Sequence, residues 1–582
     1  MLKLKSVNLQ KSRISTLAVP VCEDKDLHED LIDSLTKEAK KLEEFHGKQD
    51  EQLTLHNPAG IQADRVIFIG LGKHAELNPE KLRAFSGKAV KSSIKNGLKD
   101  IVIGTPSSNR IPMEDTILIE ALLEGACLGN HVFDRYKKEK KLKPLGRITL
   151  MVPPGTVKKY TKLSKRVEAV CHGTLLAREW VSTPSNDKTP AQLSKVFIDL
   201  ARKETLKTTL LNPKQLKQGK FGALMAVAAG SQNTPRLVIL EHAPKTAKQT
   251  IALVGKGVTF DSGGINLKPT GGLEDMKIDM SGAAAVAATL ITVAKLKPTV
   301  RVVGVMPLVE NMISGSATRP GDIIKSHAGK TIEIGNTDAE GRLILADAMS
   351  YAKKKYNPDI MVDMATLTGA CVVALGEKIA GLFTEDDALA EAIMASGQKT
   401  HERIWRMPLP EDYKELLKSE IADTNNMSST RWGGAITAAL FLSGFSEGTR
   451  WAHIDIAGPA SQKKASAYCD VGGTVFGVRL FCDLIDRLQL GLLGLLGCHQ
   501  LLALRWLNAF QTLVSPSNPR TLLKKNPDRL ENQSGFCDNL SCGKAARPVK
   551  SRSDFTGLQW PLSAPAKTRG CRLRYPHPPP GK

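Results

Sequence analysis

Five apolar runs, each five or six residues long, constrain this chain more than any other feature. They are Arg236–Leu240, Thr250–Val254, Arg301–Met306, Asp359–Met364 and Trp451–Ile456. A strand with one wet face alternates apolar and polar residues. These runs are apolar at most positions, so they read as central strands buried on both faces. Helical periodicity fills the intervals, as in Gly282–Lys295 and Leu343–Lys355. Strand alternating with helix predicts an α/β fold with a mostly parallel central sheet flanked by helices. On such sheets ligands bind beyond the carboxyl ends of the strands.

With 582 residues the chain exceeds one average core, so more than one domain is expected. Residues 1–156 read as a small N-terminal α/β domain. It has β-rich runs at Ser15–Val21, Arg65–Gly70, Asp100–Gly104 and Arg147–Val152, and helical stretches at Leu27–Glu44 and Pro79–Asn96. An amphipathic helix over 157–181 is expected to link it to a larger domain, 182–488. That domain opens with the breaker Ser182-Thr-Pro-Ser-Asn-Asp-Lys-Thr-Pro190. Gly70-Leu-Gly-Lys73 lacks the spacing of a phosphate loop and reads as a turn.

Residues 489–582 differ in character. Leu488–Val514 is Leu-rich, but three glycines with His499, Gln500 and Arg505 argue against a membrane span. Residues 515–582 have the Pro-, Arg-, Lys- and Ser-rich composition of a disordered tail. The formal charge of +22 is uneven: from Leu488 onward there are 14 Lys+Arg against 4 Asp+Glu, a balance of +10. Solvated surface lysines account for such a balance more simply than nucleic acid does. Ten cysteines without CxxC pairs indicate reduced thiols in a cytoplasm. The basic, polar Met1–Thr16 has no secretory h-region.

Two blocks carry the chemistry: Val254-Gly-Lys-Gly-Val-Thr-Phe-Asp-Ser-Gly-Gly264 and Asn336-Thr-Asp-Ala-Glu-Gly-Arg342. Carboxylates this dense beside apolar runs are costly unless a cation binds there. Hard divalent metals prefer such oxygen ligands, and a close pair of them activates water. The expectation is a two-metal hydrolase. Asp261 lies in a Gly-rich turn. Asp338 and Glu340, two residues apart in a turn-like loop, are expected to converge as neighbours in extended chain do. Asp279 precedes a helix, where a plain N-terminal carboxylate is the competing role. Lys256, beside a dication, would lose its proton and ligate as an amine. Lys268 and Arg342 are either charge balance or stabilisers of a developing oxyanion. No HExxH motif occurs, which disfavours a His-ligated monozinc peptidase.

In their fixed order these residues resemble the leucyl aminopeptidase (cytosol aminopeptidase) family of the bacterial, two-metal type. The matching segments are Val-Gly-Lys256-Gly-Val-Thr-Phe-Asp261-Ser-Gly-Gly, Asn-Leu-Lys268-Pro, Met-Lys-Ile-Asp279-Met-Ser-Gly-Ala-Ala and the octapeptide Asn336-Thr-Asp338-Ala-Glu340-Gly-Arg342-Leu. Asp-Met-Ala-Thr-Leu-Thr-Gly369-Ala and Trp-Ala-His-Ile-Asp-Ile-Ala-Gly458 also match. The resemblance spans roughly residues 10–487. It implies a small N-terminal α/β domain and a larger catalytic one. It implies one ion on Asp261, Asp338 and Glu340, and a second on Lys256, Asp261, Asp279 and Glu340. Lys268 would stabilise the oxyanion, and Arg342 would hold bicarbonate as the proton acceptor. Met276, Thr366, Gly369 and Ala457 would line the pocket for the first side chain. Mn2+ or Zn2+ would fill the sites, peptides with leucine first would be the substrates, and homohexamers the assembly. Two other readings compete: a nucleic-acid-binding role, for which no helix-turn-helix, RRM or KH pattern is present, and an inactive paralogue, against which every expected ligand position is filled.

Overall fold

The computed structural model describes residues 2–446 and 448–491. The readings made for 492–582, including most of the Leu-rich stretch and the tail, lie outside the described residues.

Residues 2–151 build a six-stranded sheet. Its order is Leu2–Lys5, Arg147–Met151, Asp100–Ile103, Leu17–Val21, Arg65–Gly70, Gln52–His56. All neighbours are parallel except the last pair, which is antiparallel. Leu17–Val21 is buried along its whole length, as a central strand should be. Leu2–Lys5 and Gln52–His56, which the apolar-run reading did not include, are the two edges, and their half-exposed Lys, Gln and His residues break the apolar signal.

The second sheet has nine strands. Four at its centre run parallel: Arg450–Asp455, Ile360–Ala365, Thr250–Gly255 and Arg301–Asn311. Arg236–His242 pairs antiparallel with Arg301–Asn311 and is followed by the edge strand Lys207–Leu211. The loop from Ala243 to Gln249 is too short to hold a crossover helix, so a parallel return was not open to it. At the other edge, Ala380–Phe383 runs antiparallel to Arg450–Asp455 and carries Ile404–Arg406 beside it. The mostly parallel core flanked by helices is the architecture the apolar runs imply.

The helix Val157–Ser182 passes between both lobes. Its first half buries Tyr160, Val167 and Cys171 in the N-terminal core, and its second half buries Ala177, Trp180 and Val181 in the core of the larger sheet. Ser281–Leu296 and Glu340–Tyr356 cover opposite faces of that sheet: Val286 and Leu290 pack in one cluster, Ile344 and Met349 in the other. Met276–Leu296 is long and apolar enough to cross a bilayer, but it is 83% buried inside the protein and serves as a core helix. The six described cysteines are free thiols.

Candidate metal centre

Lys256 and Asp261 sit at the carboxyl ends of strands, and Asp338, Glu340 and Arg342 in the turn and first residues of the helix Glu340–Tyr356. Lys256 follows Thr250–Gly255 directly. The chain then forms Gly257–Asp261, which pairs with the far half of Arg301–Asn311 and shifts register between Val258 and Asp261. Asp279 closes the short helix Met276–Ile278, two residues before Ser281–Leu296. Glu340 is the first residue of Glu340–Tyr356, so its convergence with Asp338 comes from a turn running into a helix, not from extended chain. The helix begins three residues before the Leu343 start that periodicity suggested.

The loops of the two blocks are stitched together. Thr337 Oγ1 donates to the Gly263 carbonyl at 2.7 Å, Thr337 N donates to Asn266 Oδ1 at 2.9 Å, and Asn266 N donates back to Thr337 Oγ1 at 2.9 Å. Gly263 holds φ +87°, and a Cβ on it would lie 2.4 Å from the Asn266 carbonyl and 2.9 Å from Asp338 Oδ1, so this turn requires glycine.

These contacts bring ligand atoms of Asp261, Asp338 and Glu340 within 4.8 Å of one another. Lys256 Nζ lies 2.8 Å from Asp279 Oδ1 and 2.9 Å from Glu340 Oε1, and donates to the Thr366 carbonyl at 2.8 Å. Lys268 Nζ lies 2.8 Å from Asp261 Oδ2 and 2.6 Å from Asp338 Oδ1. The five residues expected to hold metal and the lysine expected to stabilise an oxyanion thus form one contiguous cluster. Asp279 is not the N-cap of Ser281–Leu296: its Oδ1 accepts from Thr366 Oγ1 at 2.7 Å, and Met280 occupies that cap position.

The electrostatics ask for more positive charge than the lysines supply. Burial and the neighbouring Asp261 carboxylate push Glu340 and Asp338 above the usual carboxylate range. Burial does the same to Asp279 against the pull of Lys256. Burial opposes the Lys256 charge, yet Asp279, Glu340 and Asp261 together raise its affinity for the proton. A dication among these carboxylates would compete directly with that ammonium. Glu340 Oε2 and Asp279 Oδ2 are buried and have no hydrogen-bond donor among the described residues. Buried carboxylate oxygens left this way are costly, and a divalent cation satisfies them. The donor set therefore fits hard divalent metal.

A supporting layer holds the ligands, and the sequence reading missed it. Asn311 Nδ2 donates to Asp261 Oδ1 at 2.8 Å, and Gly263 N donates to the same oxygen at 2.9 Å. Asn426, fully buried, accepts from Gly335 N at 2.8 Å and gives its amide to the Asn336 carbonyl at 2.7 Å. Arg342 Nη1 donates to the Asn426 carbonyl at 2.7 Å, while its buried Nε has no partner among the described residues. Burial lowers the Arg342 guanidinium to about 10, against the pull of Glu340 and Asp455. Asp455 ties the neighbouring loops together, accepting from Leu367 N at 3.1 Å, Thr368 N at 3.0 Å and Ala457 N at 3.0 Å. Of the four expected pocket residues, Thr366 touches Asp279. Met276 opens the short helix that Asp279 closes, Gly369 begins the helix Gly369–Leu375 after one of the loops that Asp455 clamps, and Ala457 sits on the other.

The catalytic-domain profile of the cytosol aminopeptidase family matches residues 175–482, and the profile of the family's N-terminal domain matches residues 18–140. The chain belongs to the cytosol aminopeptidase family. Relatives each described as a probable cytosol aminopeptidase include one from Geobacter sp. (strain M21), 42% identical over 76% of this chain and 90% of its own length. One from Chlorobium phaeobacteroides is 39% identical over 82% of this chain and 98% of its own length. One from Cenarchaeum symbiosum is 40% identical over 77% and 91%. Among solved structures, the bottromycin maturation enzyme BotP in complex with Mn superposes with a TM-score of 0.73 at 32% identity, covering 82% of this chain and 99% of BotP. Membership of this family supports a metal-dependent aminopeptidase.

Proposed function

We propose that the chain releases the N-terminal residue of peptides, leucine preferentially, by hydrolysis at a centre of two divalent ions. The observation that carries this is the convergence of Asp261, Asp338 and Glu340 within 4.8 Å. Their neighbours Asp279 and Lys256 extend the same cluster, and two of its buried oxygens lack donors. Asp261, Asp338 and Glu340 would hold one ion. Lys256, Asp261, Asp279 and Glu340 would hold the other. Mn2+ or Zn2+ suits this set, and its oxygen-rich character favours Mn2+. When bound, the ions supply Lewis acidity, polarising the scissile carbonyl and acidifying water.

The chain's own residues do the rest. Lys268 places an ammonium at the rim of the cluster, 18% exposed, where it can offset the charge that grows on a carbonyl oxygen. Arg342 Nε, which has no acceptor among the described residues, is the donor for a bicarbonate anion. Thr366, Gly369, Ala457 and Met276 shape the space for the first side chain. A free α-amine is the feature that separates a terminal residue from an internal one, and the carboxylate cluster suits a cationic or metal-directed amine. A cytoplasmic homohexamer acting on peptides completes the reading.

The test is hydrolysis of leucine-p-nitroanilide with added manganese. The proposal expects activity that chelation removes and that Asp338→Ala abolishes. Activity surviving both would overturn it.

A further inference from the structure

A cavity of about 560 Å³ lies between the two lobes, and none of the acidic-cluster residues lines it. The helix Asp115–Gly129 lines one side with Ile117, Glu120 and Glu124. Val157–Ser182 contributes Val170, and the larger lobe contributes Ala395, Lys399 and Arg479. The volume suits a small molecule.

Most charges on its wall are already paired. Arg83 is held by Glu80 at 2.5 Å and Glu124 at 2.7 Å. Lys399 and Arg487 share Asp483, at 2.8 and 2.6 Å. Two groups are left short. Arg479 has a side chain only 7% exposed, and its nearest carboxylates, Glu124 and Glu402, stand off at 3.6 and 3.9 Å. Glu402 is engaged elsewhere, accepting from Gly477 N at 3.0 Å and Leu480 N at 2.7 Å at the start of the 478–491 helix. Arg479 Nη1, buried, has no hydrogen-bond acceptor among the described residues, and the Arg479 side chain lines the cavity. A buried guanidinium N–H left this way is costly and calls for an acceptor. Opposite in sign, Glu120 has only Lys399 at 3.8 Å as an ion-pair partner among the described residues, and Lys399 is already given to Asp483. Burial raises the Glu120 carboxyl above its ordinary value, the mark of a carboxylate short of donors.

Five cations, Arg83, Arg166, Lys399, Arg479 and Arg487, face four carboxylates, Glu80, Glu120, Glu124 and Asp483, so the wall is nearly balanced and does not single out a bare anion. One unsatisfied donor and one under-paired acceptor facing the same space suit a ligand with one charge of each sign. Ile117, Ala121, Val170 and Ala395 supply apolar wall for a side chain.

We infer that this inter-lobe cavity binds a free α-amino acid with an apolar side chain, its carboxylate on Arg479 and its ammonium on Glu120. Such a ligand bridges the two lobes and raises the stability of the whole unit. The inference does not depend on metal chemistry, and its test is run on chelated protein.

The experiment is isothermal titration of L-leucine into the full chain, with thermal unfolding alongside. Wild type and Asp338→Ala should both bind one leucine per chain and gain Tm with it. Glu120→Gln and Ala395→Trp should remain folded by circular dichroism and lose at least about tenfold in affinity, the loss of one charge-assisted hydrogen bond or of the space itself. N-acetyl-leucine and leucinamide, each missing one charge, should lose a similar factor, and inorganic phosphate should not compete. No binding to wild type overturns the inference. So does binding lost in Asp338→Ala but kept in Ala395→Trp, which places the ligand at the acidic cluster. Full affinity for N-acetyl-leucine, or competition by phosphate, overturns the two-charge reading.

Discussion

Gly341 offers a sharp test of how tightly the centre is built. It is the second residue of Glu340–Tyr356, and a Cβ placed on it would lie 2.7 Å from Lys256 Cε and 2.8 Å from Lys256 Nζ. An ordinary contact at those atoms needs roughly 0.6 Å or more of extra separation. A surface lysine would yield, but this one is 3% exposed and fixed by Asp279 at 2.8 Å, Glu340 at 2.9 Å and the Thr366 carbonyl at 2.8 Å. Moving its ammonium breaks at least one of those bonds, each worth about 1.5–3 kcal/mol to a charged group. Alanine in a helix returns at most about 0.5–1 kcal/mol over glycine. Gly341→Ala should therefore destabilise the protein by about 1–2 kcal/mol. A misplacement of this size at a catalytic centre should cost about a hundredfold in kcat. Thermal unfolding and leucine-p-nitroanilide kinetics on the same preparation measure both. Wild-type Tm together with wild-type kcat would refute the reasoning, because Lys256 would then have room that the packing denies it.

Other outcomes follow from the same geometry. Asn426→Ala leaves Gly335 N, the Asn336 carbonyl and their loop without buried partners, so stability should fall by about 2–3 kcal/mol in denaturant melts. A loss under 0.5 kcal/mol would contradict the supporting role given to Asn426. His28, buried in the N-terminal lobe, is depressed to about 4 by burial, with its Nε2 at 3.1 Å from the Pro20 carbonyl. Its folded pKa is below its unfolded one, so the stability it contributes is full above about 6.5 and lost as pH falls toward 4. Thermal unfolding between pH 7 and 4 should show that loss, and His28→Phe should flatten it. A steeper acid loss in the variant would reverse the assignment. Asn311→Ala frees Asp261 Oδ1 of its 2.8 Å side-chain donor and should weaken divalent-metal affinity by about 10–100-fold with little change in fold, measured by competition with a chelating dye.

How much of this was legible in the sequence depends on where each residue sits. Thr250–Gly255 and Ile360–Ala365 announced themselves because both their faces are buried, so nearly every position is apolar, Thr250 and the buried Asp363 excepted. Leu2–Lys5 and Gln52–His56 stayed hidden because edge strands alternate with solvated side chains. The direction of Arg236–His242 is set by the length of the loop behind it, which composition does not display. At the centre, Asp261, Asp338 and Glu340 stood out by their density beside glycines. Asn311, Asn426 and Asp455 did not, since a single polar residue at a strand end or loop carries no spacing signal, and only the tertiary fold sets it against Asp261 or the neighbouring loops. The helical start at Glu340 was obscured because its N-terminal residues are Glu and Gly, ahead of the apolar periodicity that begins at Leu343.

The central claim is that these carboxylates and Lys256 hold a pair of divalent ions. Metal content of the purified full chain, dialysed with manganese and measured by inductively coupled plasma mass spectrometry, tests it most directly. The account predicts two ions per chain in the wild type and a loss of both in Asp261→Ala, whose carboxylate is assigned to each. A wild-type content of one ion or none, or an Asp261→Ala variant that retains two, would contradict it.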